Sequence, residues 1–275
     1  MSSKLKQGNI FGLIKPFLVK LHWLLASQVG FDGRVFFRFL RGIPRYIKDL
    51  RTYRKGYSGS LSLMPCLHDR YEEGGSTKSE YFWQDLLVAR WIFAAKPARH
   101  VDVGSRVDGF VAHVASFRDI EVFDVRPIST QIPGVEFRQA DLMSNNILQG
   151  SAGEGYCDSL TCLHALEHFG LGRYGEPVDP SGYERGLVNM GALLKRGGIF
   201  YLSIPIGRAR VEFNAHRVFD PRHIIKLSAS NGLILQQLTV IDSLGRVLIV
   251  KNTKSDLQEL GTATYNLGIF IFIKE

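Results

Sequence analysis

HVDVGSRVDGFVAHVASFRDIEVFDV, residues 100–125, is the stretch from which the fold is read. A short apolar run from His100 reaches Gly104, where a residue without Cβ lets the backbone turn sharply and a ligand approach closely. A helical pattern follows near Phe110 to Ser116, then a second strand, EVFDV at 121–125. Strand, tight turn, helix and strand with short connections predict a parallel unit covered on both faces. Asp124 ends the second strand about 20 residues after Gly104, the separation at which an acidic side chain meets a ribose diol.

The same rhythm continues outward. Glu80 to Ala95 reads as a helix with Trp83, Leu87, Trp91 and Ile92 on its apolar side, ended by Lys96-Pro97. Strands are expected at 134–142, 157–166, 199–205, 233–241 and 267–275. Helices are expected at 183–195, stopped by Arg196-Gly197-Gly198, and at 221–230. This is an α/β fold with a Rossmann-like, doubly wound sheet, and its ligands should bind beyond the carboxyl ends of the strands.

The 275 residues carry a formal charge of +8, and its distribution is uneven. Residues 1–55 hold 12 Lys and Arg against two acidic residues, so the rest of the chain is slightly acidic. The expected organisation is a basic amphipathic helical extension at 1–55, a Gly- and Ser-rich connector or lid at 56–78, and the main domain at 79–275. The apolar stretch from Ile10 to Phe31 is interrupted by Lys15, Pro16, Lys20 and His22, which argues against a membrane span. Its Phe17, Leu18, Leu21, Leu24 and Leu25 repeat at helical spacing instead. A second helix at Val35 to Tyr53 turns Phe36, Phe39, Leu40, Ile43, Ile47 and Leu50 one way and six cations largely another. Such helices either pack on the main domain or dock on an anionic membrane surface or a glycan-assembly protein. Nucleic acid is not expected as a partner. Cys66, Cys157 and Cys162 show no CxxC spacing, which fits a reducing, cytoplasmic setting, peripheral at the inner membrane if the extension docks there.

Asp102-Val-Gly104, Asp124, Asp141 and Leu163 to His168 stand at successive strand ends, and over residues 80–275 the chain resembles class I S-adenosylmethionine-dependent methyltransferases. The resemblance implies a seven-stranded, mostly parallel sheet whose last two strands form an antiparallel hairpin. It implies S-adenosylmethionine as cofactor, held around Asp102, Gly104, Ser105, Arg106, Gly109, Asp124, Val125, Asp141, Leu142 and Leu163. Asp141 would accept the adenine amino group. The family's Gly-x-Gly-x-Gly turn reads Gly104-Ser-Arg-Val-Asp-Gly109 here, so Arg106 would crowd the methionine moiety or contact its carboxylate. An NAD-type oxidoreductase or epimerase shares the first features, and a degenerate fold serving as an assembly partner is the non-enzymatic alternative.

HALEHFGLGRYG, residues 164–175, carries the acceptor chemistry. His164, Glu167 and His168 are spaced for one helical face, the pattern of an inverted zincin, but a β-rich run before them and Gly170, Gly172 and Gly175 after them oppose a long helix. Hen-type and ubiquinone-pathway methyltransferases hold a divalent metal with a similar Glu-x-x-Glu-His. That resemblance makes His164, Glu167, His168 and His216 candidate ligands, with Zn, Mn or Fe favoured over Mg. Without metal, His164, His168 and His216 are the candidate bases for a hydroxyl acceptor. The run through SIPIG and FNAHRVF further resembles a methyltransferase branch associated with bacterial surface-polysaccharide biosynthesis. It implies O-methylation of a sugar hydroxyl in lipopolysaccharide O-antigen or capsule, on a glycan or lipid-linked saccharide. Arg173, Tyr174, Arg208, Arg210 and Arg217 are candidates for binding its acidic groups.

Overall fold

The computed structural model describes residues 18, 19, 21–72, 74, 75, 77, 79–144 and 155–275. They form two compact units, one ending at Gly75 and one running from residue 76 to Glu275.

The first unit is built on α1 (Gly33–Gly56), started by Asp32, whose carboxylate accepts the Arg34 amide at 2.8 Å. Gly42 is its buried residue, because a Cβ there would stand 2.7 Å from that of Leu67 as the chain returns along the helix. The sequence pattern places this helix correctly. Of the expected Ile10–Phe31 helix, residues 10–17 and 20 lie outside the described residues, and Leu24–Val29 forms a π-helical segment. Among the described residues no helix is long and apolar enough to cross a membrane.

The second unit opens with α2 (Glu80–Ala95), capped by the Ser79 hydroxyl and ended by Lys96 in a left-handed conformation before Pro97. Its strands are β1 (His100–Val103), β2 (Ile120–Asp124), β3 (Val135–Gln139), β4 (Cys157–Leu163) and β5 (Leu194–Ile206). There follow β6 (Arg210–Glu212), β7 (His216–Val218), β8 (Leu233–Ile241), β9 (Val247–Val250) and β10 (Asn266–Lys274). The helices between them include α3 (Ala112–Ala115), entered through a π-helical turn at Val107–Val111, α4 (Gly182–Leu193), α5 (Pro221–Ala229) and α6 (Lys254–Thr262).

The sheet order is β3-β2-β1-β4-β5-β10-β8-β9. β1 to β5 are parallel, and β10 runs antiparallel between β5 and β8. Val88 and Ile92 pack with Val122 and Ile269 on one side of this sheet. Leu187 and Met190 pack with Leu160 and Phe200 on the other. Rossmann-like winding is thus present, with the antiparallel strands the resemblance implies. Two details differ from expectation. The sheet has eight strands, because Val247–Val250 adds as a hairpin beyond a turn in which Asp242 accepts the Leu244 and Arg246 amides. The glycine pair at 197–198 does not cap α4, which stops at Leu193. It serves an irregular entry to β5, where pairing with β4 jumps from Leu194 to Ile199.

Candidate active site

Strand order reverses between β1 and β4, and ligand crevices in such sheets open beyond the strand ends at that point. Gly104 follows β1 there at φ +70°, its amide bonded to the Phe123 carbonyl at 2.8 Å. A Cβ on Gly104 would lie 2.9 Å from that of Ala165, so the turn must be glycine to sit beneath the loop after β4.

Asp102 does not face this crevice. It is fully buried and accepts the Ser105 amide at 3.0 Å, the Ser105 hydroxyl at 2.6 Å and the Thr161 hydroxyl at 2.6 Å. Ser105 Oγ in turn accepts the Leu163 amide at 3.2 Å, locking the turn to the end of β4. Burial pushes Asp102 up to about 6 against these hydrogen bonds. Gly109 is shaped by packing, since a Cβ there would meet the Asp85 carboxylate of α2. Leu142 and Leu163 belong to the core. Arg106 is exposed and pairs with Asp108, its guanidinium 5.8 Å from the Tyr81 ring centroid. Burial and packing account for Asp102, Ser105, Leu142 and Leu163, whereas Arg106 is exposed.

Asp124 stands at the end of β2, with Val125 after it half-buried. Its carboxylate accepts the Arg126 amide at 2.8 Å and takes the Arg126 guanidinium in a fork at 3.0 and 2.6 Å. That guanidinium lies 4.4 Å from the Tyr174 ring centroid. Asp141 falls beyond β3, in a turn where it accepts the Met143 amide at 2.9 Å.

The segment after β4 is not the helical face its spacing predicts. His164 adopts φ +52°, and Leu166–His168 is a single 3₁₀ turn. The side chains still meet. His164 Nδ1 lies 2.8 Å from Glu167 Oε1, and its Nε2 lies 3.4 Å from Glu80 Oε1, which also accepts the Tyr265 hydroxyl at 2.6 Å. Burial alone would push the His164 imidazolium down, but the two carboxylates hold it up to about 9. Burial would likewise raise the Glu167 carboxyl, and His164 outweighs that to keep it below the usual range. The two carboxylates thus favour His164 as a buried cation, which leaves it without a free lone pair for proton abstraction near neutral pH. Among the described residues no group of three or more His, Cys, Asp or Glu has the geometry to hold a metal ion. The expected set of His164, Glu167, His168 and His216 is not brought together as such a group, since His164 is held between Glu167 and Glu80 and His168 Nδ1 faces the Ala215 carbonyl.

His168 has the opposite character. Burial, the largest influence, lowers its basicity, so it is neutral near pH 7. Nδ1 lies 2.6 Å from the Ala215 carbonyl, which can only accept, so Nδ1 carries the proton and Nε2 keeps its lone pair. Nε2 stands 3.8 Å from Glu167 Oε1, and Glu167 Oε2 is buried without a hydrogen-bond partner. His216, at the start of β7, has its ring 6.4 Å from that of Tyr265, and burial lowers it too. The β6–β7 hairpin, which the sequence reading treats as a loop, thus reaches His168 through Ala215.

The arginines divide. Arg217 is buried and stitches the chain, donating to the Phe169 carbonyl at 2.6 Å and the Glu167 carbonyl at 3.3 Å. Arg210 pairs with Glu212 and donates to the Thr264 carbonyl at 2.8 Å. Arg208 is exposed on the turn before β6. Only Arg173 and Tyr174 adjoin His168. The Tyr174 ring meets it edge-on at 5.6 Å, and Arg173 donates to the Ala215 carbonyl at 2.9 Å. Glu176 holds both backbone amides, of Arg173 at 3.2 Å and Tyr174 at 2.8 Å. Sequence reasoning missed Glu80, which reads as an ordinary first-turn acid, and Tyr265 and Arg126, which lie in no motif.

Gly170 shapes this loop at φ +74°, and a Cβ there would collide with the Asp179 carbonyl. Gly170→Ala should lower stability by at least ~1–3 kcal/mol from backbone strain, read as a lower melting temperature. An unchanged melt would contradict this loop geometry.

Comparison with known proteins bears on the fold. A family model described as Caenorhabditis protein of unknown function, DUF268, matches residues 151–231. No curated protein matches the chain. Burkholderia thailandensis 1,6-didemethyltoxoflavin-N1-methyltransferase, solved with 1,6-didemethyltoxoflavin and S-adenosylhomocysteine, is 14% identical with a TM-score of 0.50, over 70% of this chain and 79% of its own. The [4+2]-cyclase SpnF is also 14% identical with a TM-score of 0.50, over 79% of this chain and 85% of its own. The fold is the Rossmann-like fold of these proteins, a methyltransferase and a cyclase among them, and a fold does not by itself choose a reaction.

Proposed function

We propose that this protein is an S-adenosylmethionine-dependent O-methyltransferase whose acceptor is a sugar hydroxyl of a bacterial surface glycan, free or lipid-linked. The observation that carries the reading is the pairing, beyond the β1–β4 reversal, of a neutral imidazole with a buried carboxylate oxygen that lacks a partner. Both call for a donor, and a sugar's neighbouring hydroxyls supply two.

The cofactor seat is read from the tight glycine turn beyond β1, where Gly104 sits at φ +70°, and from Asp124 at the end of β2. When bound, S-adenosylmethionine would supply a methyl group on a positively charged sulfur, whose bond to that carbon breaks to leave a neutral thioether. Asp124 would accept hydrogen bonds from the ribose, exchanging Arg126 for them. His168 Nε2 takes the proton that the acceptor oxygen loses as its new bond to carbon forms. Glu167 would orient a second hydroxyl through Oε2. Arg173 and Tyr174 form a cationic, aromatic rim suited to a carboxylate or phosphate on the acceptor.

Isothermal titration with S-adenosylmethionine tests the first step. Asp124→Ala should weaken binding more than ~10-fold, since two charge-assisted hydrogen bonds are worth ~1.5–3 kcal/mol. Absence of binding to the wild-type chain overturns the reading, and unchanged affinity in the variant moves the ribose elsewhere.

A further inference from the structure

We infer that α1 is a docking helix for an anionic lipid surface, lying in the plane of the interface. This stands apart from the reading of the active site. The helix spans 24 residues and carries eight Lys and Arg against one acid, Asp49. At about 100° per residue, Arg34, Arg38, Arg41, Arg45, Lys48, Arg51 and Lys55 fall on one arc, and Val35, Phe39, Ile43, Tyr46 and Leu50 on the opposite one. The eighth cation, Arg54, falls in line with Phe36 and Ile47 in the last turn, and over the turns before it the separation of charge from apolar surface is the signature of an interfacial helix.

What decides the matter is how far the first unit covers the apolar arc. One flank is covered where residues 61–67 return along the helix, with Leu67 seated on Gly42. The other flank is open. Phe36, Leu40 and Ile47 form a row at spacings of four and seven, and they remain 48%, 43% and 40% exposed. Phe37, among the cations, is 71% exposed. Arg51 and Lys55 border this row, and Lys48 and Arg41 lie beyond. Ahead of the helix Trp23 and Phe31 stay exposed as well, extending apolar surface toward its N-terminus.

An apolar row bordered by cations on a single long side matches a bilayer, whose anionic headgroups lie just above its acyl region. The cations can reach headgroups while the row enters the acyl boundary, and no shaped pocket is needed. A second copy of the chain is a poor occupant, since it would bring the same eight cations against these. Eight charges also prevent the helix from spanning the bilayer.

The test uses the full chain and floats it with vesicles of phosphatidylcholine alone, or of phosphatidylcholine mixed with phosphatidylglycerol. Flotation is expected only with the anionic vesicles and should decline as salt rises. The triple variant Arg41→Glu, Lys48→Glu, Lys55→Glu should lower the bound fraction at least ~10-fold, and Phe36→Ser with Leu40→Ser should do the same. Both substitute exposed positions, and melting temperatures equal to wild type verify that each variant is folded. The inference is overturned if the folded wild type stays in the soluble fraction, or floats equally with neutral vesicles. It is equally overturned if light scattering shows a dimer that the Phe36, Leu40 variant dissociates, for then a second copy covers the row. Loss of flotation in neither variant also overturns it.

Discussion

On the proposed reading, replacing His168 by alanine should lower methyl transfer by about 10²–10⁴-fold and leave S-adenosylmethionine affinity unchanged. A hydroxyl is a poor nucleophile until its proton leaves, and in this network one imidazole is poised to take it. His164 is charged by Glu80 and Glu167, whereas burial keeps His168 neutral with its Nδ1 proton on the Ala215 carbonyl. The depressed basicity of His168 also sets the pH profile. Activity should persist below the pH at which an ordinary histidine protonates, then decline as Nε2 takes a proton from solvent. Equal turnover in His168→Ala would remove the base from this position, and a loss confined to cofactor binding would make His168 part of the cofactor seat.

Glu167→Ala should be the most destabilising single substitution in the site. It leaves the His164 imidazolium buried beside Glu80 alone, and removing one partner from such a pair costs ~3–5 kcal/mol. For a chain of this size that corresponds to a fall of roughly 6–20 °C in melting temperature. The pH dependence has a definite sign. His164 is raised to about 9, so its contribution is whole below the ordinary histidine value of 6.5 and is lost as pH rises through about 9. Glu167 is lowered, so its contribution is whole above the usual glutamate range and is lost at acid pH. Wild-type stability should therefore fall between pH 6.5 and 9 by an increment that Glu167→Ala lacks. Parallel curves for the two proteins would separate His164 from Glu167.

What the sequence shows, and what it hides, follows from the range of each interaction. The runs that became β1, β2, β4, β8 and β10 were legible because an apolar strand between turn residues is a local signal. The Gly197-Gly198 pair misled because a helix cap and a strand bulge both use glycine. β9 was hidden in a four-residue edge strand whose side chains stay largely exposed. In the site, His164, Glu167 and His168 were found by spacing, but their roles were set by partners far along the chain. Glu80 lies 84 positions before His164 and Ala215 lies 47 after His168. It is these contacts that make one histidine a cation and leave the other neutral with Nε2 unprotonated. Asp102 and Arg217 looked like ligand contacts because polar residues at strand ends usually are, and their burial among backbone and hydroxyl groups is a tertiary fact.

If Asp124 receives the cofactor's ribose, as proposed, the fork from Arg126 onto it makes the chain carry a tethered competitor for that seat. A guanidinium two residues away is always present, at an effective concentration no dissolved ion matches. Any ribose-bearing ligand therefore binds only the fraction of molecules in which that fork is open, and its apparent affinity is the intrinsic one scaled by that fraction. The displaced guanidinium, already 4.4 Å from the Tyr174 ring centroid, would stay at the proposed acceptor rim. Cofactor first and acidic acceptor second is the order of addition this exchange favours, and initial-rate kinetics should then show the acceptor binding free enzyme poorly.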